Sequence, residues 1–120
     1  MTPQEFEKRT EQCEILMEKC APLFGEREQM LQTIEELAEL IMALCKSYRV
    51  FYGGQPTSMT KEECADSIIE EIADVEVVLH EYKYLHMISD DVTLPIKESK
   101  VDRALFRFKE AYNEKDNSGD

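Results

Sequence analysis

Glycine and proline are scarce in this chain of 120 residues, four of each, which argues against a loop-rich β-sandwich or a collagenous repeat. Basic residues are scarce too: 14 Lys+Arg stand against 26 Asp+Glu, a formal charge of −12 with a pI near 4.6. A surface so acidic repels phosphate backbones, which disfavours general nucleic-acid binding. It suits a cation-dependent site, or serves only solubility. No apolar run reaches the roughly 18 residues of a membrane span, and the opening Met-Thr-Pro-Gln-Glu-Phe-Glu-Lys lacks a hydrophobic signal core. The four cysteines, Cys13, Cys20, Cys45 and Cys64, form no Cys-x-x-Cys pair, and His80 and His86 lie far from them, so zinc is poorly supported. Each cysteine falls in a helical pattern, where it reads as a small buried apolar residue. The expectation is a soluble, reduced, cytoplasmic protein without a membrane or nucleic-acid partner. Also missing are a glycine-rich phosphate loop, a nucleophile elbow and a Cys/His dyad. His80 follows Val77 and His86 follows Lys83 at a spacing of three, so the Glu-x-x-His of di-iron bundles is absent as well.

What is present is helical periodicity. An apolar fraction of 42% is enough for a core, and the length implies one domain, here residues 1–112 followed by a polar tail, 113–120. Thr2-Pro3-Gln4-Glu5 opens a first helix with a cap residue, a proline at the first helical position and an early acid. Phe6, Cys13, Met17 and Cys20 then recur at helical spacing up to Pro22. Gly25 precedes a second helix, about Glu26 to Tyr48, whose apolar stripe is Leu31, Ile34, Leu37, Ala38, Ile41, Leu44, Cys45 and Tyr48. Gly53-Gly54-Gln55-Pro56 marks a loop. Thr60 and Glu63 form a capping box for a third helix that runs to about His86. Ser89-Asp90-Asp91 reads as a turn, and Thr93-Leu94-Pro95 as the start of a fourth helix ending near Tyr112. Strand alternation and internal repeats are absent, so the fold class is all-α, a four-helix bundle.

The third helix is apolar around most of its circumference: Ile68, Ile69, Ile72, Ala73, Val75, Val77, Val78 and Leu79. Such a helix is buried on nearly all sides. Either it is the central helix of a monomeric bundle, or a second chain supplies the remaining wall, making a homodimer or homotetramer.

Two acidic clusters stand on the second and third helices, Glu35-Glu36-Leu37-Ala38-Glu39 and Glu70-Glu71-Ile72-Ala73-Asp74. Helical residues three apart are separated by about 60° around the axis, so Glu36 points with Glu39, and Glu71 with Asp74. Side-by-side packing of the two helices would bring four carboxylates to one point, where they persist only if a cation neutralises them. Hard oxygen ligands select Mg²⁺ or Mn²⁺. Glu36 and Glu39 lie away from the apolar stripe and are equally readable as a solvated face. Glu71 differs, because its neighbours at minus three, plus four and plus seven are Ile68, Val75 and Val78. An ionised carboxylate there needs a partner.

Glu35-Glu36-x-x-Glu39 followed by Glu71-x-x-Asp74 resembles the EExxE…ExxD motif of the all-α, MazG-like nucleoside triphosphate pyrophosphohydrolases. Phe24-Gly25, Gln29, the stretch Ile34 to Lys46 and the stretch Glu70 to Glu76 add to the resemblance, which extends over roughly Leu23 to Phe108. The chain departs from many members in the 31 residues, 40–70, between Glu39 and Glu71, a longer gap that falls in the Gly-Gly-Gln-Pro loop. The resemblance implies Mg²⁺-dependent hydrolysis of a nucleoside or deoxynucleoside triphosphate to monophosphate and pyrophosphate. Glu36, Glu39, Glu71 and Asp74 would be the metal ligands and Glu35 a water-orienting group. Lys97, Lys100 and Arg103 recur every three residues on the fourth helix, either as phosphate contacts, as the resemblance implies, or as a solvated stripe pairing with Glu98 and Asp102. Gln29 and Gln32 share the helix face of Glu36 and are either base or ribose contacts or surface amides. Tyr48, Tyr52, Tyr82 and Tyr84 are possible stacking partners for a base, with Tyr48 and Tyr82 fitting the core better. The reading from another class is a catalytically silent helical interaction module that keeps the fold.

Overall fold

The computed structural model describes residues 1–54 and 57–118, and the side chains of all of these except 21–24, 117 and 118. Regular structure among them is entirely helical: α1 Pro3–Phe24, α2 Glu26–Tyr48, a π-helical turn Arg49–Gly53, α3 Lys61–Leu85 and α4 Asp90–Ser118. The chain divides into two compact units, Met1–Met87 and Ile88–Asp120.

Local chemistry accounts for the helix starts. Thr2 and Glu5 form a reciprocal box: the Glu5 N–H donates to Thr2 Oγ1 at 3.1 Å, and the Thr2 N–H donates to Glu5 Oε2 at 3.0 Å. Thr60 and Glu63 repeat the device at α3, with 3.1 Å and 3.3 Å bonds. The π-helical turn ends at Gly54, whose φ of 63° is a left-handed conformation that glycine adopts without steric cost. Of the expected Gly53–Pro56 loop, Gln55 and Pro56 lie outside the described residues.

In the first unit α1, α2 and α3 pack together, with α2 against α3 as the main contact. The start of α2 (Glu28, Gln29) meets the end of α3 (Glu81, Leu85), while Glu36 and Glu39 meet Glu71 and Asp74. The two helices are therefore antiparallel. Helix α1 runs parallel to α3 and is tied to it by two bonds one turn apart. His80 Nε2 meets Glu14 Oε1, and the Tyr84 hydroxyl donates to Glu18 Oε1, each at 2.7 Å.

The face that α2 buries is not its apolar stripe. Gln29, Thr33, Ala43 and Ser47 are buried and Glu36 and Leu40 half-buried, all at spacings of three and four. The Thr33 and Ser47 hydroxyls donate to the carbonyls of Gln29 and Ala43 at 2.8 and 2.7 Å, so these polar residues enter the packed face with their hydrogen bonds made. On α3 the buried residues are Cys64, Val75 and Val78. The stripe expected to form the α2 core is exposed instead, Ile34 by 56%, Ile41 by 61% and Tyr48 by 64%. Nor is α3 enclosed within the first unit, since Ile69 is 65% and Val77 51% exposed.

The second unit is dominated by α4. It begins at Asp90, earlier than the Thr93 start expected, because Asp90 and Asp91 in the first turn complement the helix dipole. Pro95 is accommodated inside the helix. Residues 113–118, expected as a tail, continue the helix, and 119–120 lie outside the described residues. No described helix is long and apolar enough to cross a membrane.

Candidate metal centre

Antiparallel packing of α2 on α3 brings Glu36, Glu39, Glu71 and Asp74 together. One carboxylate oxygen from each lies within 4.8 Å of all the others. Glu36 and Glu71 are half-buried, and Glu39 and Asp74 are exposed, so the cluster is shielded on one side and open on the other. Glu71 sits where its neighbours placed it, with Val75 and Val78 buried and Ile68 half-buried along the same face.

The electrostatics are those of a cluster short of positive charge. Burial raises the pKa of Glu36 above the ordinary carboxylate range. The charges of Glu39 and Asp74, a hydrogen bond with Glu39 and the charge of Glu35 add to that rise. Glu71 is raised by burial first, then by the charges of Glu39, Asp74, Glu36 and Glu70. Among the described residues, the charges that shift these two groups are all negative. A buried ion pair with a basic side chain, the alternative explanation for a carboxylate at position 71, would instead lower its pKa.

Two observations fit a hard divalent cation. All four donors are carboxylate oxygens, without a nitrogen or sulfur among them. In addition, Glu36 Oε2 and Glu71 Oε2 are buried and have no hydrogen-bond partner among the described residues. Buried acceptors left open in this way are costly unless something positive reaches them.

The other sequence-derived site residues are distributed unevenly. Glu35 is exposed and stands outside the four-oxygen cluster. Gln29 is not a surface amide: it is only 6% exposed, and its Nε2 has no partner. Gln32 is exposed, yet lines the same cavity as Gln29. In the second unit Lys97, Lys100 and Arg103 are exposed on α4. Lys100 and Arg103 border a shallow hollow with Arg107, one turn further on, and with the acids Glu98 and Asp102. Arg107 extends the basic spacing by four and was legible as such. Tyr48 and Tyr52, both exposed, have ring centroids 5.5 Å apart, and Tyr82 lies against His86 at 4.1 Å. The Tyr84 hydroxyl is committed to Glu18, and that bond, with burial and the charges of Glu18 and Glu14, pushes its pKa up to about 12. The cysteines are free; Cys64 is buried as read, whereas Cys13 and Cys45 are exposed.

Glu14, Glu18 and Glu81 were missed in the sequence reading because a single glutamate on an acidic helix gives no signal until a neighbouring helix is placed. No protein-family model, curated protein or solved structure matches the chain.

Proposed function

We propose that the protein is a Mg²⁺-dependent (or Mn²⁺-dependent) hydrolase of nucleoside or deoxynucleoside triphosphates that yields monophosphate and pyrophosphate, with the MazG-like all-α organisation. The observation that carries this reading is the convergence of four carboxylate groups, two of which have a buried and unpartnered oxygen, between two antiparallel helices.

Glu36, Glu39, Glu71 and Asp74 would hold the cation. When bound, a divalent cation neutralises phosphate charge and lowers the pKa of a nearby water. Glu36 and Glu71 would be the site's half-buried pair of ligands. Glu39 and Asp74 form its exposed rim, where a triphosphate arrives. Glu35, whose charge acts on Glu36, would accept a proton from a water at the mouth. The resemblance assigns phosphate contacts to Lys97, Lys100 and Arg103 of the second unit, fixed positive charge that a triphosphate needs in a chain carrying −12. Without a cation, an anionic substrate and this acidic surface repel each other.

The assembly in this reading is a homodimer or homotetramer, located in the cytoplasm. The exposed positions Leu31, Ile34, Ala38, Ile41, Cys45 and Tyr48 on α2 are spaced alternately by three and four, a heptad seam that needs a partner helix. That same seam favours the second reading, a catalytically silent interaction module. The two are separated by incubating the protein with a panel of nucleoside triphosphates and Mg²⁺ or EDTA and following phosphorus NMR. Pyrophosphate and monophosphate appearing only with Mg²⁺ support the hydrolase. Orthophosphate as the first product, or no product at all, refutes it.

A further inference from the structure

A cavity of about 290 Å³ lies at the junction of α1, the first turns of α2 and the last turns of α3. Its walls include Met17, Glu28, Gln29, Gln32, Glu81 and Leu85. The metal centre does not account for it, because Gln29 precedes Glu36 by seven residues, about 10 Å along the helix axis.

The feature that needs an explanation is the Gln29 amide. The residue is only 6% exposed, and among the described residues Nε2 has no acceptor. The backbone of the same residue is satisfied: its N–H donates to the Gly25 carbonyl at 3.1 Å, and its carbonyl accepts from the Thr33 hydroxyl at 2.8 Å. An unpaired buried donor carries a desolvation penalty that a ligand acceptor would relieve. Around it the cavity is rich in acceptors, the carboxylates of Glu28 and Glu81, with the Gln32 amide alongside. Met17 and Leu85 provide apolar surface for a flat ring.

We infer that this cavity is the nucleobase subsite and that it selects bases presenting an amine beside a ring-nitrogen acceptor, cytosine and adenine, over thymine and uracil. The ring nitrogen takes the Gln29 donor, and the exocyclic amine donates to a carboxylate. Gln29 thus supplies the donor half of the pairing by which a glutamine reads adenine in DNA, and a carboxylate supplies the acceptor half. In that same pose thymine and uracil would set N3–H against the Gln29 donor and a carbonyl oxygen against the carboxylates, so donor faces donor and acceptor faces acceptor. Charge orients the nucleotide as well: an acid-lined cavity rejects phosphate, so the phosphates lie toward the cation centre and the base enters the cavity. The assignment rests on the nucleotide reading above, and the experiment is chosen so that the two can fail separately.

Neutral nucleosides probe the subsite without a cation or turnover. The full chain in EDTA is titrated by NMR with deoxycytidine, deoxyadenosine, thymidine and deoxyuridine. The first two should bind at least about tenfold more tightly than the last two. Their base protons should show contacts to the Met17 and Leu85 methyl groups in the wild-type protein, which requires no variant. Gln29→Leu should erase the discrimination while the protein still melts cooperatively. Equal affinity for all four nucleosides, binding too weak to detect, or base contacts elsewhere would overturn the subsite. If nucleosides discriminate as stated while no triphosphate is hydrolysed with Mg²⁺, the subsite stands and the hydrolase reading falls. If triphosphates are hydrolysed without base preference, the reverse holds.

Discussion

Truncating Ile41 on α2 tests whether its exposed seam is a contact between copies of the chain. Isoleucine to alanine removes three carbons, about 2.4 kcal/mol at ~0.8 kcal/mol for each when fully buried. In the single chain Ile41 is 61% exposed, so about 1.5 kcal/mol of that remains for a partner to cover. A two-fold interface counts each substitution twice. Ile41→Ala should therefore weaken a dimer by about 3 kcal/mol, on the order of a hundredfold in Kd. Alanine is the best helix former, so α2 itself should not suffer. Sedimentation across a concentration series reads the result directly: the variant should dissociate at roughly a hundredfold higher concentration than wild type. A wild-type protein that sediments as a 14.0 kDa monomer at micromolar concentration would refute the reasoning. So would an oligomer whose dissociation Ile41→Ala leaves unchanged.

Three further outcomes follow from the carboxylate centre and from α1. Glu71→Gln keeps the side-chain shape and removes one of four mutually repelling charges, so its melting temperature in EDTA should equal or exceed that of wild type. The same variant should lose turnover and most of the Mg²⁺-induced rise in melting temperature; destabilisation in EDTA with a normal Mg²⁺ response would leave the four-carboxylate site without support. The raised pKa values of Glu36 and Glu71 mean that the folded state holds their protons more tightly than the unfolded chain does. Their contribution to metal-free stability is complete below the unfolded value of 4.5 and is lost as pH rises through the folded values. Melts in EDTA should fall across that window, less steeply in Glu71→Gln, and Mg²⁺ binding should weaken as pH falls. Tyr84 should ionise near 12 in an ultraviolet absorbance titration, moving down toward its ordinary value in Glu18→Gln; an unchanged midpoint would remove Glu18 as the cause.

Local features of the sequence determined most of the helix boundaries. The Thr60–Glu63 box, Pro3 and the Gly53–Gly54 break act within a few residues of themselves, so no distant contact is needed to read them. Helix α4 was the exception at both ends, starting at Asp90 rather than Thr93 and running past Tyr112. Polarity in 113–118 looked like fraying, yet nothing there breaks a helix once it has been propagated from Asp90. The pairing of Glu36 with Glu39 and of Glu71 with Asp74 was also local, a consequence of helical pitch. The apolar setting of Glu71 was written in its own helix as well.

Tertiary structure decided which face of each helix turns inward. The α2 stripe of larger side chains was the natural choice for the core, but Thr33, Ala43 and Ser47 occupy the face against α3. Threonine and serine close their hydroxyls onto their own helix, so they carry no polarity penalty that periodicity could reveal. Only the antiparallel register of α2 on α3 turns two pairs of acids into one cluster within 4.8 Å. That same register buries the Gln29 amide beside Glu81, a juxtaposition of residues 52 positions apart (81 − 29). A helix's own sequence states what each face carries; what lies across from that face is fixed by the packing of the helices together.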